Sequence, residues 1–306
     1  MNRKIYFIKV LTPLHVGAGQ GLSHVDLPIV REVHTGFPFV PGSSIKGSLR
    51  ELALRRLKEI YFKDTDVKLS TLDKLLSVTK DKEFEETRNK ANKPEDFEKE
   101  LKKLMDIFGT AGEGAEGGQG GSGKVIFTDA RLLFFPVKSL KSVFMLITCP
   151  LAIKRFCEDL QLDENTSFLE GIDDGKALTT SDKHLVENKV MLEEFVFDAN
   201  KSDELRNFFN KYYPDQIDKI VCVSDTIFSD FVQNYTEVQT HVKINPDTGT
   251  VDEGALWTTE YLPAESVLYF SLFSMKKDLF PEVPSVFHLG GDITTGKGFV
   301  KKVMEV

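Results

Sequence analysis

Cysteine is scarce in this chain: Cys149, Cys157 and Cys222 are odd in number, widely spaced and without a C-x-x-C pair. That excludes a disulfide framework and a cysteine zinc site, and leaves buried, reduced packing residues. Long apolar runs are missing too. No stretch reaches the roughly 18–20 residues of a membrane helix, and the opening MNRKIYFIKV alternates like a strand rather than a signal peptide. The expectation is a cytoplasmic protein with no membrane partner. A basic excess is also absent, since 39 Lys and Arg face 47 Asp and Glu for a formal charge of −8. Such a balance counts against a nucleic-acid partner unless positive charge is concentrated locally. No Ser-His-Asp order or HExxH signature marks a ready-made catalytic site.

Residues 14–50 carry the densest information. A loop broken by Gly17, Gly19 and Gly21 holds His15, His24 and Asp26; a tight turn at Thr35-Gly36 follows, and then a helix from about Ser44 to Phe62. Ser43 and Ser44 are expected to cap that helix. Lys46 and Arg50 in its first turns, beside unpaired N–H groups, make a seat for phosphate. SSIKGSLRELALRRLK sets five cations against the single acid Glu51, a local basic face on an acidic chain. Leu49, Leu52, Ala53, Leu57 and Ile60 form the helix's apolar stripe. Beyond it, Asp64 to Lys103 mixes both charges and reads as solvated helix broken near Pro94. The glycine-dense 109–123 reads as a flexible connector. Residues 64–123 are thus expected to be an insertion into a single domain spanning 1–306.

From Lys124 onward strands and helices interleave. VIFTDARLLFFP, VFMLITCP, Leu192 to Phe197 and Ile220 to Val223 are predicted strands; Leu151 to Leu160, Asp203 to Tyr212 and Asp225 to Gln233 are predicted helices. A long hairpin about 236–262 turns at Asn245–Gly249 and carries Trp257, either a core residue or an exposed stacking group. ESVLYFSLFSM is a buried strand. The order implies an α+β fold of ferredoxin-like units, with helices on one face of a mostly antiparallel sheet. Near the end, GDITTGKG approaches a phosphate-binding loop. Gly291, Gly296 and Lys297 have the right spacing, but Gly298 replaces the hydroxyl residue that holds magnesium, and no room remains for the following helix. Nucleotide hydrolysis is therefore not expected. The better reading is a loop, Gly290 to Gly298, whose backbone N–H groups and Lys297 grip a phosphodiester.

The blocks LHVGAG, VDLPIVRE, HTGFPFVPGSSIKGSLR, FTDARLLFFPVKS, TCP, NYTEV, GALWTTEYLP and LGGDITTGKG together resemble the RAMP-superfamily backbone subunits of type III-B (Cmr) CRISPR effector complexes. The resemblance spans nearly the whole chain. It implies a modified ferredoxin-like, RNA-recognition (RAMP) fold with a helical insertion and a protruding β-hairpin thumb. It further implies copies stacked along a guide RNA beside other Cmr subunits, and metal-dependent endoribonuclease cleavage of target RNA at regular intervals, with Mg²⁺ or Mn²⁺. Asp26 matches the catalytic aspartate, and as an ionised carboxylate it is expected to hold the metal rather than to act as a base; His15 and Glu237 match other positions near the site. Lys46, Arg50, the Gly290–Gly298 loop and Trp257 are the expected RNA-binding residues. Two rivals stay open: a structural subunit of the same fold without catalysis, and a guide-processing endoribonuclease with a histidine-centred site that works without metal.

Overall fold

The computed structural model describes residues 1–20, 25–76, 82–110 and 121–305. His24 and most of the glycine-dense tract, 111–120, lie outside them. The first half runs β1 (Asn2–Val10), β2 (Phe39–Val40), α1 (Gly42–Tyr61), α2 (Leu69–Leu75), α3 (Lys82–Lys90), α4 (Pro94–Phe108), β3 (Val125–Phe127), β4 (Ala130–Lys138), β5 (Phe144–Thr148) and α5 (Pro150–Leu160). The second runs β6 (Lys176–Thr179), β7 (Lys189–Leu192), β8 (Phe195–Lys201), α6 (Asp203–Tyr212), β9 (Ile220–Cys222), α7 (Asp225–Asn234), β10 (Glu237–Ile244), β11 (Val251–Tyr261), β12 (Val267–Ser274), β13 (Val286–His288) and β14 (Phe299–Glu305).

The main sheet has the order β13-β14-β1-β12-β4-β5-β9-β6-β8-β7, with β2 on β4 and β3 on β12. Its pairs are antiparallel except β5 with β9 and β6 with β8. Ile5 to Ile8 of β1 are buried without interruption. Period-two alternation explains why. Ile5 and Phe7 face a cluster with Phe156 of α5 and Phe209 of α6. Tyr6 and Ile8 face the opposite cluster, with Leu49 of α1, Phe97 of α4 and Phe228 of α7. Helices therefore cover both faces of the sheet, not one, and β1 is a central strand of a three-layer α+β fold.

Other local expectations change for identifiable reasons. Residues 125–136 are not one strand: β3 and β4 are separated at Thr128 and Asp129. Asp129 turns away from the ladder to accept the Gly42 N–H at 2.7 Å. Residues 192–197 also split, with Glu193 in the left-handed region at φ 50° between β7 and β8. Helix α1 starts at Gly42, after Pro41, with no cap from a serine side chain. Its buried stripe includes Ile45 and Leu54, whereas Ile60 is exposed. The charged segment is not merely solvated. Phe97, Leu101 and Leu104 of α4 are buried, and Phe97 meets Phe62 edge-on with ring centroids 5.0 Å apart. All three cysteines are free and buried. Among the described residues no helix is long and apolar enough to cross a membrane.

The hairpin β10/β11 forms a sheet of its own, apart from the main one. Register runs from Glu237 opposite Tyr261 to Val242 opposite Leu256 without interruption. The Asn245 and Gly249 turn closes on itself, the Gly249 N–H donating to Asn245 O at 2.9 Å.

Candidate functional site

The edge of β11 that does not face β10 holds the first loop. The N–H of Leu27 donates to Thr258 O and the N–H of Glu260 to Leu27 O, so Leu27 bridges parallel to Thr259. Just before this bridge, Asp26 places its carboxylate over Thr258. Oδ2 accepts from the Thr258 N–H at 2.8 Å and from its hydroxyl at 2.9 Å. These donors, the backbone N–H first, hold the exposed Asp26 carboxyl below its ordinary value. An anion that accepts charge-favouring hydrogen bonds is harder to protonate. Oδ1 accepts no hydrogen bond from another described residue.

His15 is fixed on the same edge. Its Nδ1 lies 2.7 Å from Glu260 O, and because a carbonyl only accepts, Nδ1 carries the hydrogen. In the neutral ring Nε2 is then the accepting nitrogen. Residues 258 and 260 share this edge about 7 Å apart, two strand rises. Asp26 and His15 are thus brought to one strip of backbone from positions eleven residues apart in the chain.

Glu260 is the residue that sequence reasoning missed. It is 6% exposed, and its carboxylate accepts from the Ile29 N–H at 3.0 Å and the Thr236 hydroxyl at 2.7 Å. It also pairs with the Arg31 guanidinium. Arg31 in turn donates to Gly36 O and Val232 O at 2.8 and 2.7 Å, tying the Thr35-Gly36 turn to α7. Through its N–H, carbonyl and side chain, Glu260 therefore holds Leu27, His15, Ile29 and Arg31 around the loop that carries His15 and Asp26. The signal available in sequence was one acid inside an otherwise strand-forming run, TTEYLP.

The glycine-rich loop closes the third side, with part of its backbone already engaged within the protein. The N–H groups of Gly291, Gly296, Lys297 and Gly298 already donate to His15 O, Ile293 O, Asp292 O and Pro13 O. Gly290 and Gly298 lie at φ 75° and 76°. A Cβ on them would stand 2.1 Å from His15 O and 2.2 Å from Leu289 O. These glycines let the loop take its tight path beside the first one, and the Lys297 side chain is its cation for an anion. Its Nζ sits 4.9 Å from the centre of the Tyr261 ring.

The structure does not bring Glu237 to Asp26. Tyr261, its cross-strand partner, is three residues from Thr258 and so on the other face of the hairpin. Gln239 is the side chain that reaches Glu237, at 3.3 Å. Trp257 is 37% exposed and lies against the His241 ring, centroids 5.5 Å apart and planes 19° from parallel. The start of α1 carries its own anion, Asp129, where phosphate was expected, and Arg50 is paired with Asp73 of α2 at 2.9 Å. Lys46 makes no ion pair among the described residues. The Ser48 hydroxyl donates to His288 O, which sets these first turns beside the glycine-rich loop.

Among the described residues no group of three His, Cys, Asp or Glu side chains converges as a metal cage. The donor set at Asp26 is one ionised carboxylate with an open oxygen. That fits a magnesium-type ion whose remaining ligands are RNA phosphate oxygens and water, the usual arrangement where protein supplies one or two carboxylates.

Comparison with known proteins places this chain in a lineage. The RAMP superfamily matches residues 7–301. The Cmr endoribonuclease Cmr4 of Pyrococcus furiosus is 32% identical over all of this chain and 96% of that protein. A crystal structure of oligomeric Cmr4 from Pyrococcus furiosus superposes with a TM-score of 0.62 at 26% identity, covering 98% of this chain and 97% of that one. A chain of the type III-B Cmr-beta complex bound to cognate target RNA has the same fold, with a TM-score of 0.66 at 18% identity and coverage of 98% and 96%. The chain belongs to the RAMP superfamily.

Proposed function

We propose that this chain is a guide-RNA-bound backbone subunit of a type III-B CRISPR effector complex, stacked with copies of itself and other Cmr subunits, that cleaves complementary target RNA. The observation that carries the reading is the mounting of Asp26 and His15 on one edge of β11, with the hairpin standing apart from the main sheet. A full-length relative named as an endoribonuclease supports it.

Cleavage by the RNA's own 2′-hydroxyl needs that hydroxyl polarised, the phosphate held in line and the leaving oxygen stabilised. Asp26, its carboxyl held low by Thr258, stays ionised at neutral pH and is a weak base. It is better suited to hold a cation against the scissile phosphate. A bound Mg²⁺ or Mn²⁺ would supply charge stabilisation there. His15, with Nε2 free to accept, orients the attacking hydroxyl. Lys297 sits beside it as a phosphate contact. The hairpin acts as a thumb: Val242, Leu256 and Trp257 are exposed on it and separate guide from target at each subunit, which spaces the cuts.

The test is cleavage of labelled complementary RNA by the reconstituted complex with Mg²⁺ or Mn²⁺, beside target binding on the same sample. Asp26→Asn keeps size and removes charge, and should slow cutting by at least the roughly 10²-fold typical of a catalytic acid or base while binding stays near normal. His15→Ala should cost less. Full cutting by the Asp26→Asn complex would remove Asp26 from the catalytic site and put the non-catalytic subunit ahead.

A further inference from the structure

We propose that His241 is a positioning residue for target cleavage: it latches the hairpin to the glycine-rich loop through Tyr261 and Asp292. The inference rests on the function proposed above and deepens it.

The latch is a directed chain of hydrogen bonds. The Tyr261 hydroxyl donates to Asp292 Oδ2 at 2.9 Å. A hydroxyl has one hydrogen, so the oxygen meets His241 with a lone pair, and His241 Nε2 at 3.2 Å must be the donor. Burial, then the bond to Asp292, pushes the Tyr261 hydroxyl up to about 12, which keeps its hydrogen in place at neutral pH. Both ends of the chain are anchored. Asp292 is in the left-handed region at φ 61°, and its carbonyl accepts the Thr295 N–H and hydroxyl at 3.0 and 2.9 Å. His241 lies on Trp257 across the ladder.

What the latch holds is the flank of the candidate site. The Tyr261 ring is 0% exposed. The His15 ring meets it at 63° with centroids 5.7 Å apart, and Lys297 stands over it. A shift of the hairpin relative to the glycine-rich loop would therefore move Tyr261, and with it the wall against which His15 and Lys297 are set. Asp26, tied to Thr258 on the opposite face, would ride with the hairpin. His15, held to Glu260 O on the same strand, rides with it too, so losing the latch changes the place of Lys297 relative to Asp26 and His15 without removing any of them. A displacement of about 1 Å at a reacting centre is enough to cost on the order of 10²-fold in rate.

Single-turnover cleavage by the reconstituted complex distinguishes positioning from mere stabilisation. His241→Phe keeps a ring on Trp257 and removes the donor; His241→Gln restores an N–H donor at similar reach. The Phe complex should cut at least about tenfold slower at saturating target, with cuts spread over neighbouring phosphates and target binding unchanged, whereas the Gln complex should recover most of the rate. Tyr261→Phe breaks the same chain from its centre, and the double variant should be no slower than either single one. Trp257 is the sole tryptophan, so its emission verifies that the stack survives in each variant. Amide exchange on the purified chain reads the latch without RNA, and His241→Phe should speed exchange in both 237–261 and 290–298. Wild-type cutting by the His241→Phe complex, or failure of His241→Gln to recover, would overturn the proposal. A wild-type complex that does not cut while exchange responds as expected would instead indict the functional reading.

Discussion

At the scale of residues, the candidate site depends on one buried acid more than on the groups that meet RNA. Glu260 accepts from three sources while its backbone fixes His15 and Leu27. Glu260→Ala would leave Arg31, with 20% of its side chain exposed, without its carboxylate. Breaking a buried pair from one side costs about 3–5 kcal/mol, and urea unfolding of the purified chain should show a loss near the lower figure. Glu260→Gln keeps the shape and two acceptor contacts and should lose less. Asp26 behaves differently because it is exposed. Its folded value is depressed from 3.8, so the Thr258 tie is fully present above that value and is lost only as pH falls through the lower folded value. Amide exchange at Thr258 should therefore stay protected from neutral pH down to about 4. Any loss of cleavage between pH 5 and 7 must come from another group.

At the scale of elements, what was legible in the sequence follows from how local the physics is. The helix Asp203–Tyr212 was readable because Ser202 caps it and four apolar side chains recur at helical spacing, all within the segment itself. The start of α1 was not, because its cap comes from Asp129, 87 residues away, and the adjacent serines were the only local candidates. Asp129→Ala should cost about 1 kcal/mol, as losing an N-cap acceptor does, with melting of the purified chain as the measure. Ser43→Ala should cost little. Glu260 was hidden for the same reason, since its partners lie about 230 residues earlier. The glycines of the last loop were legible as a special backbone but not in purpose. The N–H groups of Gly291 and Gly298 are spent on the first loop, so Gly298→Ala, with a Cβ aimed 2.2 Å from Leu289 O, should unseat that contact and cost more than about 1 kcal/mol.

At the scale of the whole molecule, the charge of −8 requires that any RNA contact be made by a few cations with no acid beside them. Most arginines are already committed. Arg31, Arg50, Arg55, Arg131 and Arg155 each pair with a carboxylate. Neutral pairs release few counterions when RNA docks, because their charge is compensated before binding. Of the lysines without an ion pair among the described residues, Lys46 and Lys297 are set apart by place, one beside and one within the loop that folds against His15. Guide RNA loading should therefore depend on salt through these two lysines and little through Arg50. On single-stranded RNA each lost phosphate contact lowers the slope of log K against log salt by about 0.7. Lys46→Ala and Lys297→Ala should each reduce the slope by that amount, and together by twice it, in equilibrium binding across a salt series. Arg50→Ala should leave the slope nearly unchanged and instead loosen α2, where Asp73 loses its partner. A slope that falls with Arg50→Ala but not with Lys46→Ala would move the RNA track off the glycine-rich loop and onto the outer face of α1.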